Sequence, residues 1–198
     1  NRERYEDDDN YGFELSVKTK EGDVIKITFH SAQGYDEETG ELGVAVQSHW
    51  FSVGFLVPWA KAGVGAVATQ SFVKVDYGPE GLKLMEEGMS AEDALMRLIS
   101  EDENEAVRQV AMIGIKGNVA THTGAKCIYA AGHRIGKNYS VQANLMENES
   151  VWDAMSIAFE NTGGDLADRM MAALDAAEGE GGDIRGKQSA AMLIVTGE

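Results

Sequence analysis

Residues Asp36 to Glu41, DEETGE, run into Leu42 to Ser48, LGVAVQS, and this pair of segments decides how the chain folds. The acidic side chains and Gly40 of the first segment suit a solvated turn, while the second alternates and places Val44 and Val46 on one face of a strand. Upstream, Gly12 to Gln33 (GFELSVKTKEGDVIKITFHSAQ) holds two further alternating runs around Glu21, Gly22 and Asp23, the pattern of a β-hairpin. Downstream, Phe51 to Ala60 is the richest apolar stretch but is cut by Pro58, and Gly63 to Gln70 (GVGAVATQ) reads as a strand of small residues. Strands therefore dominate the first part of the chain.

From Pro79 the apolar period lengthens. Leu82 and Met85, then Ala94, Leu95, Leu98 and Ile99, fall at helical spacing, with Ser90 placed as N-cap ahead of Glu92 and Asp93. Strand alternation returns over Val107 to Lys116 and Val119 to Thr123, joined at Gly117 and Asn118, and over Tyr139 to Leu145. Helices follow over Val151 to Asn161 and Leu166 to Ala177, the second with Leu166, Met170, Met171 and Leu174 on one stripe. Ser189 to Thr196 (SAAMLIVT) is a final apolar run, expected to be buried on both faces. This order lacks the regular strand and helix alternation of a parallel doubly wound sheet. It predicts an α+β fold of two antiparallel sheets with helices outside them, and Leu42 to Ser48, Gly63 to Gln70 and Ser189 to Thr196 as central strands. Residues 1–11 form an acidic lead segment, and residues 12–198 a single domain in which 12–33 is an added hairpin.

Composition narrows the partners. The 198 residues are 43% hydrophobic and 25% charged, with 33 acidic against 17 basic side chains and a formal charge of -16. That sign opposes nucleic-acid backbones and anionic lipid, and no apolar run approaches the ~20 residues of a membrane helix, so neither nucleic acid nor membrane is an expected partner. The single cysteine, Cys127, cannot form an intramolecular disulfide and is expected to be a packed or partly exposed thiol and not a nucleophile. A soluble chain, cytoplasmic or secreted, fits; the compartment is left open.

Several motif matches fail. Gly132 to Lys137 (GHRIGK) has three residues between its glycines and Asn138 after the lysine, so it is not a phosphate loop. Asp7 to Gly12 (DDDNYG) puts Tyr11 where a calcium loop needs an oxygen ligand. His122, Cys127 and His133 lack zinc spacing, and neither a metal nor a cofactor is expected. The informative residues are polar ones in apolar strands: Gln47, Ser48, Thr69, Gln70, His133, Gln142, Asn144, Asp183, Arg185 and Ser189. Buried polar groups must be hydrogen-bonded, so these form either a polar pocket or a structural network. Gln47, Thr69, Gln142, Asn144 and Ser189 are expected to converge near Thr28 or Ser31.

Glu38 to Ser48 (ETGELGVAVQS), Val57 to Gln70 (VPWAKAGVGAVATQ), Tyr77 to Leu82 (YGPEGL), Ala131 to His133 (AGH), Val141 to Leu145 (VQANL) and Gly181 to Ala190 (GGDIRGKQSA) resemble the DUF1028 family, from about Thr28 to Val195. The resemblance implies the Ntn-hydrolase fold, a four-layer αββα sandwich, and an N-terminal Thr, Ser or Cys nucleophile whose own α-amine is the base. Family chains open Thr-Phe-Ser. Here the corresponding text is Thr28-Phe29-His30-Ser31, behind 27 residues. Aligning Thr28 with the family threonine needs one inserted residue before Asp36, whereas the ungapped alignment puts Phe29 there and Ser31 on the family serine. The resemblance thus implies catalytic candidates Thr28 and Ser31, acting on a small amide C–N bond after cleavage at Ile27, with Gln47 and Asn144 near the oxyanion. The alternatives are a non-catalytic homo-oligomer assembled by strand addition through the 12–33 hairpin, and a small-molecule binding protein.

Overall fold

A computed structural model describes residues 29–196. It contains nine strands and four α-helices among these residues. β1 (Phe29–Tyr35) and β2 (Glu41–Ser48) form a hairpin whose turn is the DEETGE segment: Asp36 Oδ1 accepts from the amides of Glu38 at 2.8 Å and Thr39 at 3.1 Å. β3 (Pro58–Lys61) and β4 (Gly65–Ser71) follow, then α1 (Tyr77–Glu86) and α2 (Ala91–Ser100), β5 (Arg108–Gly114) and β6 (Val119–Thr123). β7 (Gly132–Gly136), β8 (Tyr139–Ala143), α3 (Val151–Asn161), α4 (Leu166–Gly179) and β9 (Ser189–Thr196) complete the order. Ser90 caps α2, its hydroxyl accepting from the Asp93 amide as the sequence predicts.

The strands form two fully antiparallel sheets, ordered β7-β8-β1-β2-β9 and β3-β4-β5-β6. Three apolar cores lie between four layers. One joins Ala32, Ala45 and Val141 of the five-stranded sheet to Met155, Phe159, Leu166 and Met170 of α3 and α4. A second joins Val67, Val110 and Met112 of the four-stranded sheet to Tyr77, Leu82, Leu95 and Leu98 of α1 and α2. Between the sheets, Leu42, Val44 and Val46 meet Ala66, Ala68 and Ile113. The fold is the α+β, four-layer αββα sandwich expected from the element order and the family resemblance.

Several local expectations change. β9 is an edge strand and only partly buried, with Leu193 37% exposed, because an apolar run does not distinguish a sheet's centre from its edge. Met171 is 47% exposed: it follows Met170 by one residue, a rotation that carries it off the buried stripe of α4. The Pro58 break opens β3, where proline is tolerated as first residue of an edge strand, and the glycine-rich GHRIG segment is β7. Of the expected 12–33 hairpin, residues 29–33 lie in β1 and the remainder is outside the described residues, as are the 1–11 lead segment and Thr28. Among the described residues, no helix is long and apolar enough to cross a membrane.

α1 lies close on β3 because Gly78 lacks a side chain: a Cβ there would overlap the Trp59 indole. Gly78→Ala gains about 1 kcal/mol of helix propensity. Forcing a methyl against a rigid ring costs about 1–3 kcal/mol, and at this degree of overlap the clash dominates. Urea denaturation is expected to show a net loss of about 1–2 kcal/mol; a midpoint at or above that of the parent protein contradicts the packing.

Candidate functional site: a polar network between the sheets

Alternation fixes what enters the inter-sheet space. Ser31 and Gln33 of β1 share the inward face with Val46 and Val44, their cross-strand partners on β2, and with Gln142 and Ser140, their partners on β8. His133 of β7 is opposite Gln142. From the other sheet, Gln70 on β4, Gln109 on β5 and Thr123 on β6 are cross-strand neighbours on the face shared with Ala68 and Ile113. The space between the sheets is therefore apolar at one end and polar at the other.

These side chains form a directed hydrogen-bond chain. Ser140 Oγ donates to Gln33 Oε1 at 2.7 Å, Gln33 Nε2 to Ser31 Oγ at 3.1 Å, and Ser31 Oγ to Gln70 Oε1 at 2.9 Å. Gln70 Nε2 donates across to Gln109 Oε1 at 2.6 Å, which also accepts from Asn144 Nδ2 at 2.9 Å. Gln109 Nε2 faces Thr123 Oγ1 at 3.0 Å and the carbonyls of Gly132 and Ala143 at 3.1 and 3.0 Å. Thr123 Oγ1 is 2.8 Å from His133 Nδ1, so the chain ends at an imidazole. Burial, followed by the neighbouring Arg134 and His122 charges, holds His133 below its ordinary pKa. The strands that deliver Gln70 and Asn144 break immediately afterwards, at Ser71 (φ 68°) and Leu145 (φ 56°), left-handed conformations costing roughly 1 kcal/mol or more each.

Gln142 is the exception. It is fully buried, lies between Ser31 and His133 in the sheet, and among the described residues neither its Nε2 nor its Oε1 has a partner. Two unpaired buried amide atoms cost several kcal/mol by the usual ~1–3 kcal/mol per group.

The remaining sequence candidates lie elsewhere. Gln47 faces the helix side, opposite His30 on the adjacent strand. With its nitrogen toward them, its amide donates to Glu178 of α4 and to His30 Nε2 at 2.9 Å. Glu178 also pairs with Lys187 at 3.2 Å, and Asp183 holds Arg185 in a bidentate pair at 2.9 and 2.7 Å. Asp183 contributes to the field at His30, so Gln47, Asp183 and Arg185 belong to a second, outer cluster. Thr69 also faces outward, donating to the Lys74 carbonyl at 3.1 Å at the approach to α1. Ser189 donates to the Trp50 carbonyl at 2.6 Å and accepts from the Val53 amide at 3.1 Å, pinning the β2–β3 connection, and Ser48 pairs with it across the strands. The expected convergence of five residues is thus corrected: Gln142 and Asn144 share the inter-sheet site with Ser31, joined by Gln70 and His133, while Gln47, Thr69 and Ser189 do not. A one-residue change of parity sends a side chain to the opposite face, and a polar residue in an apolar strand does not by itself reveal its parity.

Sequence reasoning missed Gln33, Gln109, Thr123 and Ser140. The available signal was pairs of polar residues two apart, Ser31 with Gln33 and Ser140 with Gln142. Cys127 donates to the Arg108 carbonyl at 3.2 Å, and burial pushes its thiol up, away from a reactive thiolate. Among the described residues, no group of three or more His, Cys, Asp or Glu side chains is placed to hold a metal ion.

A family model described as a family of unknown function, DUF1028, matches residues 28–198. The crystal structure of protein SPO2555 from Silicibacter pomeroyi, also assigned to DUF1028, is 31% identical with a TM-score of 0.79, over 85% of this chain and 76% of that one. No curated protein matches the chain.

Gln109→Leu removes the acceptor shared by Gln70 and Asn144 and the donor to Thr123. At ~1–3 kcal/mol per lost partner, chemical denaturation is expected to show a loss above about 3 kcal/mol. A second expectation concerns His30, which burial pushes down to about 4 from 6.5 against the opposing pull of Asp183. Between these values the unfolded chain binds the proton more tightly, so stability is complete above pH 6.5 and falls by about 3 kcal/mol as pH drops toward 4. The slope of stability against pH in that window is expected to shrink in His30→Asn; an unchanged slope assigns it to other groups.

Proposed function

We propose that this chain, which belongs to the DUF1028 family, recognises a small primary or cyclic amide in the polar end of its inter-sheet space. The observation that carries this reading is Gln142, a fully buried carboxamide with both polar atoms unpartnered. A carboxamide presents an acceptor and a donor side by side, and its complement presents N–H and C=O on one edge in the same way. Primary amides and lactams do so. A linear peptide bond is trans and sets these groups on opposite edges, so it pairs with only one of them. Two hydrogen bonds from such a ligand would offset the cost of burying Gln142, and the surrounding network holds that residue's neighbours in place.

Hydrolysis with Thr28 as nucleophile and its own amine as base is the second reading. It is favoured by Ser31, which stands three residues after Thr28 in the sequence and whose side chain lies in this same network. It requires cleavage between Ile27 and Thr28, because a peptide nitrogen cannot serve as the base. Ser31 is fully buried and its hydroxyl both accepts and donates, which suits a network link better than an attacking group. Assembly through the 12–33 hairpin rests on residues 12–28, outside those described, since the described part, 29–33, is already paired on both sides by β2 and β8.

Titration by calorimetry with 2-pyrrolidinone and N-methyl-2-pyrrolidinone tests the recognition reading. The first is expected to bind at least about tenfold more tightly, a difference of about 1.4 kcal/mol, because the second lacks the N–H. Gln142→Leu is expected to lose this preference while matching or exceeding the parent in stability, since an apolar isostere removes an unpaired polar group. Equal binding of both lactams, or of neither, refutes the reading. For the second reading, a chain trimmed to begin at Thr28 is expected to release ammonia from small primary amides, and the untrimmed chain to be at least about 100-fold slower.

A further inference from the structure

The end of the network has a geometry that structural bridging does not need. Thr123 Oγ1 and His133 Nδ1 are 2.8 Å apart, the separation of a hydroxyl nucleophile and its base. Gln109 Nε2 can only donate, so its contact with Thr123 Oγ1 engages a lone pair, and in the His133 tautomer protonated at Nε2 the ring's Nδ1 accepts the hydroxyl hydrogen. Gln109 is itself oriented by two donors on its Oε1. Thr123 and His133 are both partly exposed, unlike Ser31, Gln70 and Gln109. Gln142, the neighbour of His133 on β8, supplies an unused carboxamide donor on the same face. A hydroxyl, an adjacent imidazole acceptor and a spare buried donor are the parts required for acyl transfer.

We propose that Thr123 is a nucleophile for acyl transfer, with His133 as general base and Gln142 Nε2 as donor to the developing oxyanion; this assignment rests on the reading of Gln142 as an amide-recognition group. Thr123 Oγ1 bonds to the carbonyl carbon of a small ester or amide while its proton passes to His133 Nδ1. The carbon to leaving-group bond then breaks, and the leaving oxygen or nitrogen takes that proton. Water adds to the acyl-threonine through the same base, releasing the acid and restoring the hydroxyl. Because burial keeps His133 below its ordinary pKa, the neutral base is the resting form near pH 7.

The test treats the full chain with 4-nitrophenyl acetate, follows nitrophenolate release, and maps acetylation by peptide mass. One acetyl group on Thr123 and a stoichiometric burst are expected. Thr123→Val is expected to abolish both, Thr123→Ser to keep labelling at position 123, and His133→Gln to slow acylation about 100-fold or more. Absence of acetyl at position 123 in both the parent and the serine variant overturns the proposal, as does an undiminished burst in Thr123→Val. The serine variant retains the bond to Gln109 and guards against a folding defect in the valine one. Preferential binding of 2-pyrrolidinone without acetylation of Thr123 removes the nucleophile and leaves recognition standing; acetylation of Thr123 without that binding preference removes the amide class and leaves the nucleophile.

Discussion

Gln109 is the side chain on which the polar end of this structure depends. Its carboxamide oxygen receives Gln70 from its own sheet and Asn144 from beyond β8, and its nitrogen faces a hydroxyl and two carbonyls. The two sheets of an αββα sandwich are held elsewhere by aliphatic contact, which has no directional preference. At this end they are held by hydrogen bonds, which fix relative position and orientation. Amide chains of this kind strengthen cooperatively when every member is satisfied and become costly when one is not.

That dependence explains the contrast between Gln109 and Gln142. Both are carboxamides buried in the same layer on facing sheets, but among the described residues one has both polar atoms engaged and the other neither. Buried polar groups are ordinarily hydrogen-bonded, so an unengaged carboxamide among engaged ones is the feature of this layer that calls for an explanation. The network's free end, at Thr123 and His133, is also its accessible end, so polarity and access coincide on the β6 and β7 side of the sandwich.

The outer cluster of His30, Gln47, Glu178 and Lys187 sits on the opposite face of β1 and β2 and is separate in character. It contains formal charges near the C-terminal end of α4, and the imidazole within it is held neutral by burial. Ser31 and His30, adjacent in sequence, therefore belong to different environments: one to an uncharged amide chain and the other to a charged anchor between sheet and helix. β1 is the strand through which both pass.

The sequence by itself determined the type of most elements, β3 and β7 excepted, because alternation and helical spacing are local: α3 and β6 coincide with their expected limits, and Ser90 caps α2 where its side chain predicts. It also carried the family, through short blocks distributed along the chain. Only the tertiary structure decided that β9 is an edge strand, that β3 begins at the proline, and which polar side chains meet. Those outcomes depend on strand order and on the facing of residues far apart in sequence, as with Ser31 and Gln70 or Gln109 and Asn144, and no local pattern encodes them. Gln142 and Thr69 look alike as polar residues in apolar strands, yet one faces the neighbouring sheet and the other a helix layer, because parity relative to the core is fixed only once both sheets are packed.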